Sequence, residues 1–477
     1  MRRMGIKYLI NRKLSNSKIV QTAVVGINLL LEFFFSRQSV QVYHSIVEFN
    51  KPLIPLLKLK ITVSQACNKY SYNGLCFNIV DFSKKTISSW FVSQPKVSKT
   101  NQLFRKYVTN YNSSYLRLRV PFMGLGRPHL CQCSVKGYIC APNGFYNYIV
   151  NTISDEICIY PENYLLSEPM HYAKQGAFSS DGMYWYTVRW PLVHWADVID
   201  KKRNGVECEV CKINLMNKKE EILLKLDYQD EIHEISCSPD DKYLVFCTFK
   251  QDMYLGYPNK SFYKAPEEYK ASHQRGGVKP QSLVTVDLIS GRYWMTNIPF
   301  PTIGHTVFDP VNQDVVFLSA HNLVFHELTT FSEGTATLVK LKISDGKTEI
   351  INTYTDDKLL RIFQHQVFLY KGTTLLAVMS YPNTLYILEA DRFSLIKKIT
   401  IGPEIAIDFS LTGNYPLEER KDIFFTVNVS EDGRFIVLGN AGGYAAYDME
   451  EDTILDFESI LPKGFGYGTG HTRTHGN

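Results

Sequence analysis

Past the first 60 residues, apolar positions seldom recur at helical spacing. They come in short alternating runs separated by turn residues, the pattern of an all-β chain. One unit repeats: a short strand, a polar turn, then a second apolar strand. It reads Gly176-Ala-Phe-Ser-Ser-Asp-Gly-Met-Tyr-Trp and Ile235-Ser-Cys-Ser-Pro-Asp-Asp-Lys-Tyr-Leu. It returns as Val307-Phe-Asp-Pro-Val-Asn-Gln-Asp-Val-Val and Val427-Asn-Val-Ser-Glu-Asp-Gly-Arg-Phe-Ile. Asp-Gly, Pro-Asp and Asn supply tight turns at the centre of each copy. Weaker copies lie at 130–141 and 366–377.

Two more strands follow each copy, as in Leu283-Val-Thr-Val-Asp-Leu-Ile-Ser-Gly-Arg, Leu338-Val-Lys-Leu-Lys-Ile-Ser-Asp-Gly-Lys and Leu385-Tyr-Ile-Leu-Glu-Ala-Asp-Arg. Four strands repeating every 40–70 residues define a β-propeller. Full blades are expected at 128–160, 175–226, 231–299, 302–353, 363–401 and 423–456. A seventh near 61–93, around Leu75-Cys-Phe-Asn-Ile-Val-Asp-Phe-Ser-Lys-Lys-Thr, has only outer strands. Its inner strand is assigned to the C-terminal piece 470–475, which closes the ring and removes sheet edges. The expectation is a seven-bladed β-propeller over 61–477, with a basic, apolar extension over 1–60.

Composition adds limits. With 477 residues, 45% apolar and 21% charged, the chain is globular, and no long clean apolar run marks a multi-pass membrane protein. A net charge of +5 without a basic stripe argues against nucleic acid as a partner. Ten cysteines in a chain this long read as small buried residues of a reducing compartment, which gives a cytoplasmic expectation. Sequons at Asn112, Asn259 and Asn428 are expected by chance. The N-terminus is the exception to even charge. Arg2, Arg3, Lys7, Arg12, Lys13 and Lys18 precede the apolar stretch Ile19 to Phe35, which is interrupted by Gln21, Asn28 and Glu32. A charge deep in a spanning helix is costly. The layout is that of an N-terminal helix docked on the protein or lying on a membrane surface, with a membrane anchor or a signal peptide as the alternatives; residues 1–40 are expected outside the propeller, with membrane-surface contact favoured.

The chemistry rests on histidine. Aligning blades on Ile139, Tyr243, Val315 and Leu375 puts His129, His233, His305 and His365 ten residues upstream of each. His471 takes the equivalent place if the C-terminal strand closes the ring. Inner strands line the channel of a propeller, so imidazoles at their start converge on one axis and offer a divalent transition-metal site. Fe(II), Mn, Cu and Zn all accept imidazole donors of this kind. The competing reading makes these histidines hydrogen-bonding groups between strands. At the same mouth lie Trp190, His194 and Trp195, placed between second and third strands. His321 and an insertion over 250–281 containing Tyr257 join them. Together they outline a small-molecule pocket, against the alternative of packing between blades.

Other constellations carry less. Cys208-Glu-Val-Cys211 has zinc spacing but sits on a strand, where residues three apart face opposite sides. No phosphate loop and no Gly-x-Ser-x-Gly elbow occurs.

The repeat resembles the seven-bladed propeller superfamily over about 400 residues, without any Trp-Asp dipeptide. A ring of axial histidines resembles that of the carotenoid-cleaving oxygenases, in which four histidines hold Fe(II). It is also similar to the oligogalacturonate lyases, which hold Mn through histidines and a glutamine; here Gln364 precedes His365. The resemblance implies a metal-dependent enzyme, with Fe(II) favoured and Mn or Cu as alternatives; neither family's full motif set is present, so reaction and substrate do not carry over. The aromatic entrance and the N-terminal segment favour a small, partly apolar substrate, which gives an oxidoreductase, and a monomer, as the expectation. A lyase is the alternative. A non-catalytic propeller that binds proteins through its faces is the reading from a different class.

Overall fold

The computed structural model describes residues 42–48, 60–67, 74–93, 137–142, 147–151, 153–154, 156–160, 170–172, 176–191, 207–227, 231–249, 281–300, 302–321, 325–326, 330–331, 336–359, 362–380, 383–401, 424–440, 444–456 and 472–474. Among them are eight antiparallel sheets; seven, in chain order, are the blades of a propeller, and the eighth is a two-stranded hairpin of Phe325–His326 and Thr330–Phe331 between the second and third strands of blade 5. Blade 1 runs Thr472–Thr474, Lys60–Cys67, Gly74–Asp81, Thr86–Ser93 and Val42–Glu48 from its inner edge outward. Blade 2 is Tyr138–Pro142, Asn147–Asn151 and Glu156–Tyr160. In blade 3, Met170–Tyr172 and Ala177–Phe178 form a divided inner strand beside Tyr184–Pro191, Glu207–Asn214 and Glu220–Asp227.

The last four blades are regular four-stranded sheets. Their inner strands are Glu231–Cys237, Thr302–Phe308, Ile362–Tyr370 and Phe424–Val429 for blades 4 to 7. Their outer strands are Tyr293–Ile298, Lys347–Thr355, Leu395–Thr400 and Thr453–Asp456.

The C-terminal strand pairs antiparallel with the second strand of blade 1, Val63 opposite Thr472 and Ile61 opposite Thr474. Chain start and chain end thus share one sheet. One boundary differs from the sequence expectation. Val42–Glu48 falls inside the 1–60 stretch assigned to the extension, yet it adds a fifth strand to blade 1, Val42 opposite Val92 and Glu48 opposite Thr86. Pairing with Thr86–Ser93 covers what would otherwise be the open outer edge of that sheet. Residues 1–41, including the expected membrane-contact segment, lie outside the described residues. Among the described residues no helix is long and apolar enough to cross a membrane.

The core is divided among the seams between blades. Val188, Cys208 and Val210 of blade 3 pack on Leu244, Phe246 and Val284 of blade 4. The next seam joins Val245 and Leu283 to Val316 and Leu341, and the next Phe317 and Leu338 to Leu376 and Tyr386. Each such side chain, fully buried, contributes about 1.5–3 kcal/mol relative to exposure. Polar ties cross the same seams. Ser180 N–H donates to Asp241 at 2.9 Å, Trp294 Nε1 to Thr348 at 2.9 Å, and buried Lys340 to Asp391 at 2.9 Å.

Two turns repeat because their chemistry repeats. Between first and second strands, the hydroxyls of Ser179, Ser238 and Ser430 accept from the N–H groups of Tyr184, Tyr243 and Phe435. Each donates to the aspartate two residues on. In blade 7 this turn needs glycine: a Cβ on Gly433, at φ +73°, would lie 2.4 Å from Leu369 O of blade 6. Between third and fourth strands an Asn or Asp side chain caps the turn. Asn151, Asn214, Asp287 and Asp448 each accept two backbone N–H groups within the next three residues.

In blade 7 the capping carboxylate is fully buried and paired with Arg434, with Nη2 to Oδ2 at 2.8 Å. Burial works to raise the Asp448 carboxyl. Arg434 and the N–H groups of Glu450 and Glu451 outweigh it and hold the group below the ordinary carboxylate range. Its contribution is therefore present above that range and lost as pH falls through the depressed value.

Arg434→Gln should lower stability at neutral pH by about 3 kcal/mol, since it strands a buried charge. Urea unfolding of wild type and variant across pH should show the gap shrinking as pH falls; a gap constant into strong acid contradicts the assignment. Removal of residues 472–477 should lower the thermal midpoint by several degrees. An unchanged midpoint would mean that the ring does not depend on this closure.

Candidate functional site

The inner strands carry a shared irregularity. In each of blades 4 to 7 one extra residue interrupts pairing with the second strand. Such a bulge bends a strand and re-aims its side chains. In blade 4, His233 and Glu234 together oppose Cys247; in blade 5, His305 and Thr306 oppose Leu318. In blade 6 the extra residue is Phe363, and His365 pairs directly with Val378.

The second strands can be aligned by structure. Tyr243, Val315, Leu375 and Phe435 pair with Asp287, Lys342, Glu389 and Asp448 of the third strands, and in each case the N–H of the following third-strand residue donates to the carbonyl just before the second-strand partner. On this scale Leu318 and Val378 occupy the same rung, so His305 and His365 sit level on neighbouring inner strands. His233 does not join them. It opposes the next rung toward the strand start, and the shared rung in blade 4 is held by Ile235, opposite Phe246. In blade 7 Val427 holds it, opposite Leu438. The ten-residue spacing misled here because it adds loop, bulge and strand residues together.

Two backbone observations single out this pair. His305 has φ +51°, a left-handed conformation that side chains other than glycine seldom adopt, and one that histidine tolerates better than most. His365 is aimed by its neighbours. Gln364 and Gln366 accept the N–H groups of Val427 and Val429 in blade 7, each at 3.0 Å. His365, between them, projects to the opposite side, as does Val367, which packs in the seam with blade 5. The inner strands of blades 5 and 6 are packed together, so His365 faces the strand that carries His305. It is 2% exposed. A further tie brackets the site: Ser236 of blade 4 donates to Thr306 O, next to His305.

Gln364 was of interest as a ligand type, but its Oε1 is engaged by the Val427 N–H. Trp190 lies within the second strand Tyr184–Pro191 of blade 3, opposite His171, and not in the loop after it. It is six residues past Tyr184, as His321 is six past Val315, so the two mark the same rung in blades 3 and 5. His171 was missed because its strand, Met170–Tyr172, is only three residues long and shows no periodicity. His129, His194, Trp195, Tyr257 and His471 lie outside the described residues. Among the described residues no group of three His, Cys, Asp or Glu side chains is placed to hold a metal ion. The Cys208/Cys211 pair is divided as its strand requires. Cys208 packs in the seam with blade 4, while burial pushes the Cys211 thiol, beside Arg189, up to about 12.

No protein-family model matches the chain, and no curated protein matches it by sequence. Solved structures do. An apocarotenoid oxygenase from Synechocystis superposes with a TM-score of 0.51 at 10% identity, over 92% of this chain and 96% of that one. The Swd1 β-propeller domain of Myceliophteria thermophila gives 0.43 at 9% identity, over 72% and 88%. Hydrazine synthase from Kuenenia stuttgartiensis gives 0.43 at 10%, over 70% and 79%. At these identities the likeness is one of fold. The chain is a seven-bladed β-propeller.

The left-handed backbone at His305 should govern which side chains the site accepts. His305→Gly should leave stability within about 1 kcal/mol, while His305→Val should cost about 1–3 kcal/mol more, because β-branching disfavours positive φ. Chemical denaturation of the two variants compares them; equal losses would contradict the assigned conformation.

Proposed function

We propose that the protein is a metal-dependent oxidoreductase with a histidine-ligated divalent ion at its inner strands, acting on a small, partly apolar substrate. The observation that carries this reading is the level placement of His305 and His365 on facing inner strands, with His305 in a left-handed bulge. Two neutral imidazoles are fitting donors for Fe(II), Mn or Cu and leave the ion its full charge. They form part of a ligand set, and His129 and His471 are the candidates to complete it. An ion so held would act as a Lewis acid or bind O₂ beside the substrate. The chain's own part is positional. Gln364 and Gln366 fix the strand that presents His365, and Ser236 fixes the bulge that presents His305. The fold shared with the Synechocystis oxygenase is compatible with this arrangement and does not by itself carry the activity.

One observation favours a second reading, a protein-binding propeller with structural histidines. His365 pairs opposite Val378 in an apolar seam, where an imidazole also serves as a buried hydrogen-bonding group.

Elemental analysis separates the two. Protein reconstituted with Fe(II), Mn or Cu and then desalted should retain about one equivalent of one metal. His305→Ala and His365→Ala should each abolish retention, and the metal should raise the thermal midpoint of wild type only. No retained metal, or retention unaffected by both variants, would favour the scaffold.

A further inference from the structure

The bulge that carries His305 is held from both sides. The residue before it, Gly304, accepts at its carbonyl from Ser319 Oγ at 2.9 Å, a bond made within the sheet of blade 5. The residue after it, Thr306, accepts at its carbonyl from Ser236 Oγ on the inner strand of blade 4, and the hydroxyls of Ser236 and Thr306 lie 3.1 Å apart. Between these two anchors His305 has φ +51°. A left-handed residue other than glycine persists only where its surroundings over-determine it, and a bulge by itself leaves the ladder interrupted at that point.

Packing does not account for Ser319. Its strand neighbours Phe317, Leu318 and Ala320 are, like it, 0% exposed, and a hydroxyl in such a place is costly unless it is bonded. In the aligned second strands the same rung is held by Cys247 in blade 4, Met379 in blade 6 and Gly439 in blade 7. None of the three offers a hydroxyl. The serine stands in the blade whose bulge carries a left-handed histidine. Opposite it, Gly304 leaves room: a Cβ built there would have Ser319 Oγ as its nearest neighbour, at 4.0 Å.

We infer that Ser236 and Ser319 are positioning residues for His305: the two hydroxyls clamp the backbone on either side of it and so set where its imidazole stands. The clamp itself needs no metal; its use in holding one rests on the reading of His305 as a ligand.

Isotope-labelled histidine reads the rings directly by NMR in metal-free, full-length protein, with the His305 signal assigned by its absence from His305→Gln. Ser236→Ala and Ser319→Ala should each move that signal. Ser319→Thr, which keeps the hydroxyl and has room beside Gly304, should leave it at the wild-type position. Ser319→Cys, the residue that blade 4 carries on this rung, should move it as alanine does and repeats the test if the alanine variant folds poorly. After reconstitution, the double variant Ser236→Ala, Ser319→Ala should bind the metal that wild type retains about 10–100-fold more weakly. Two results would overturn the inference: a His305 signal unmoved in both alanine variants, or metal held equally well by wild type and double variant. Wild type that holds no metal would overturn the metal reading instead, and the His305 signal alone would then decide for or against the clamp.

Discussion

Among the described residues, the buried apolar side chains of blades 3 to 7 cluster across the seams between neighbouring sheets. Val245 and Leu283 gain their burial from Val316 and Leu341, and these in turn depend on the ring staying closed. Closure rests on the short C-terminal strand that joins blade 1 beside Lys60–Cys67. Without it an inner edge would open to water, and the seam between first and last blades would lose its anchor. The hydrogen bonds across the seams, from Ser180 to Asp241 or Lys340 to Asp391, add direction to an attraction that is otherwise non-directional.

The same constraint shapes the inner strands. Near the axis the sheets crowd together, and one extra residue per strand relieves the misfit while turning particular side chains. Around this bulge the polar groups are fixed from both sides. Gln364 and Gln366 satisfy N–H groups of the adjoining inner strand, which the sheet itself leaves unpaired. That lacing gives His305 and His365 defined places. Pre-set geometry of this kind is what a metal ligand needs, and it is equally what a buried structural histidine needs.

The described third-to-fourth turns are short and capped by side chains: Asn214 and Asp287 each accept two backbone N–H groups, which fixes the turn conformation.

Much of this was legible in the chain. Alternating runs, Ser-x-Asp and Asx turns act locally, through strand pleat and hydrogen bonds spanning a few residues, so the blades and the role of the chain end could be read directly. The rung of each histidine was not legible. It depends on where a bulge falls and which residue stands opposite, as the separation of His233 from His305 and His365 demonstrates. A bulge is chosen by packing against the neighbouring blade, a contact between residues far apart in sequence. The fifth strand at Val42–Glu48 was hidden for the same reason: its partner among the described residues, Thr86–Ser93, fixes it through pairing that no local pattern announces.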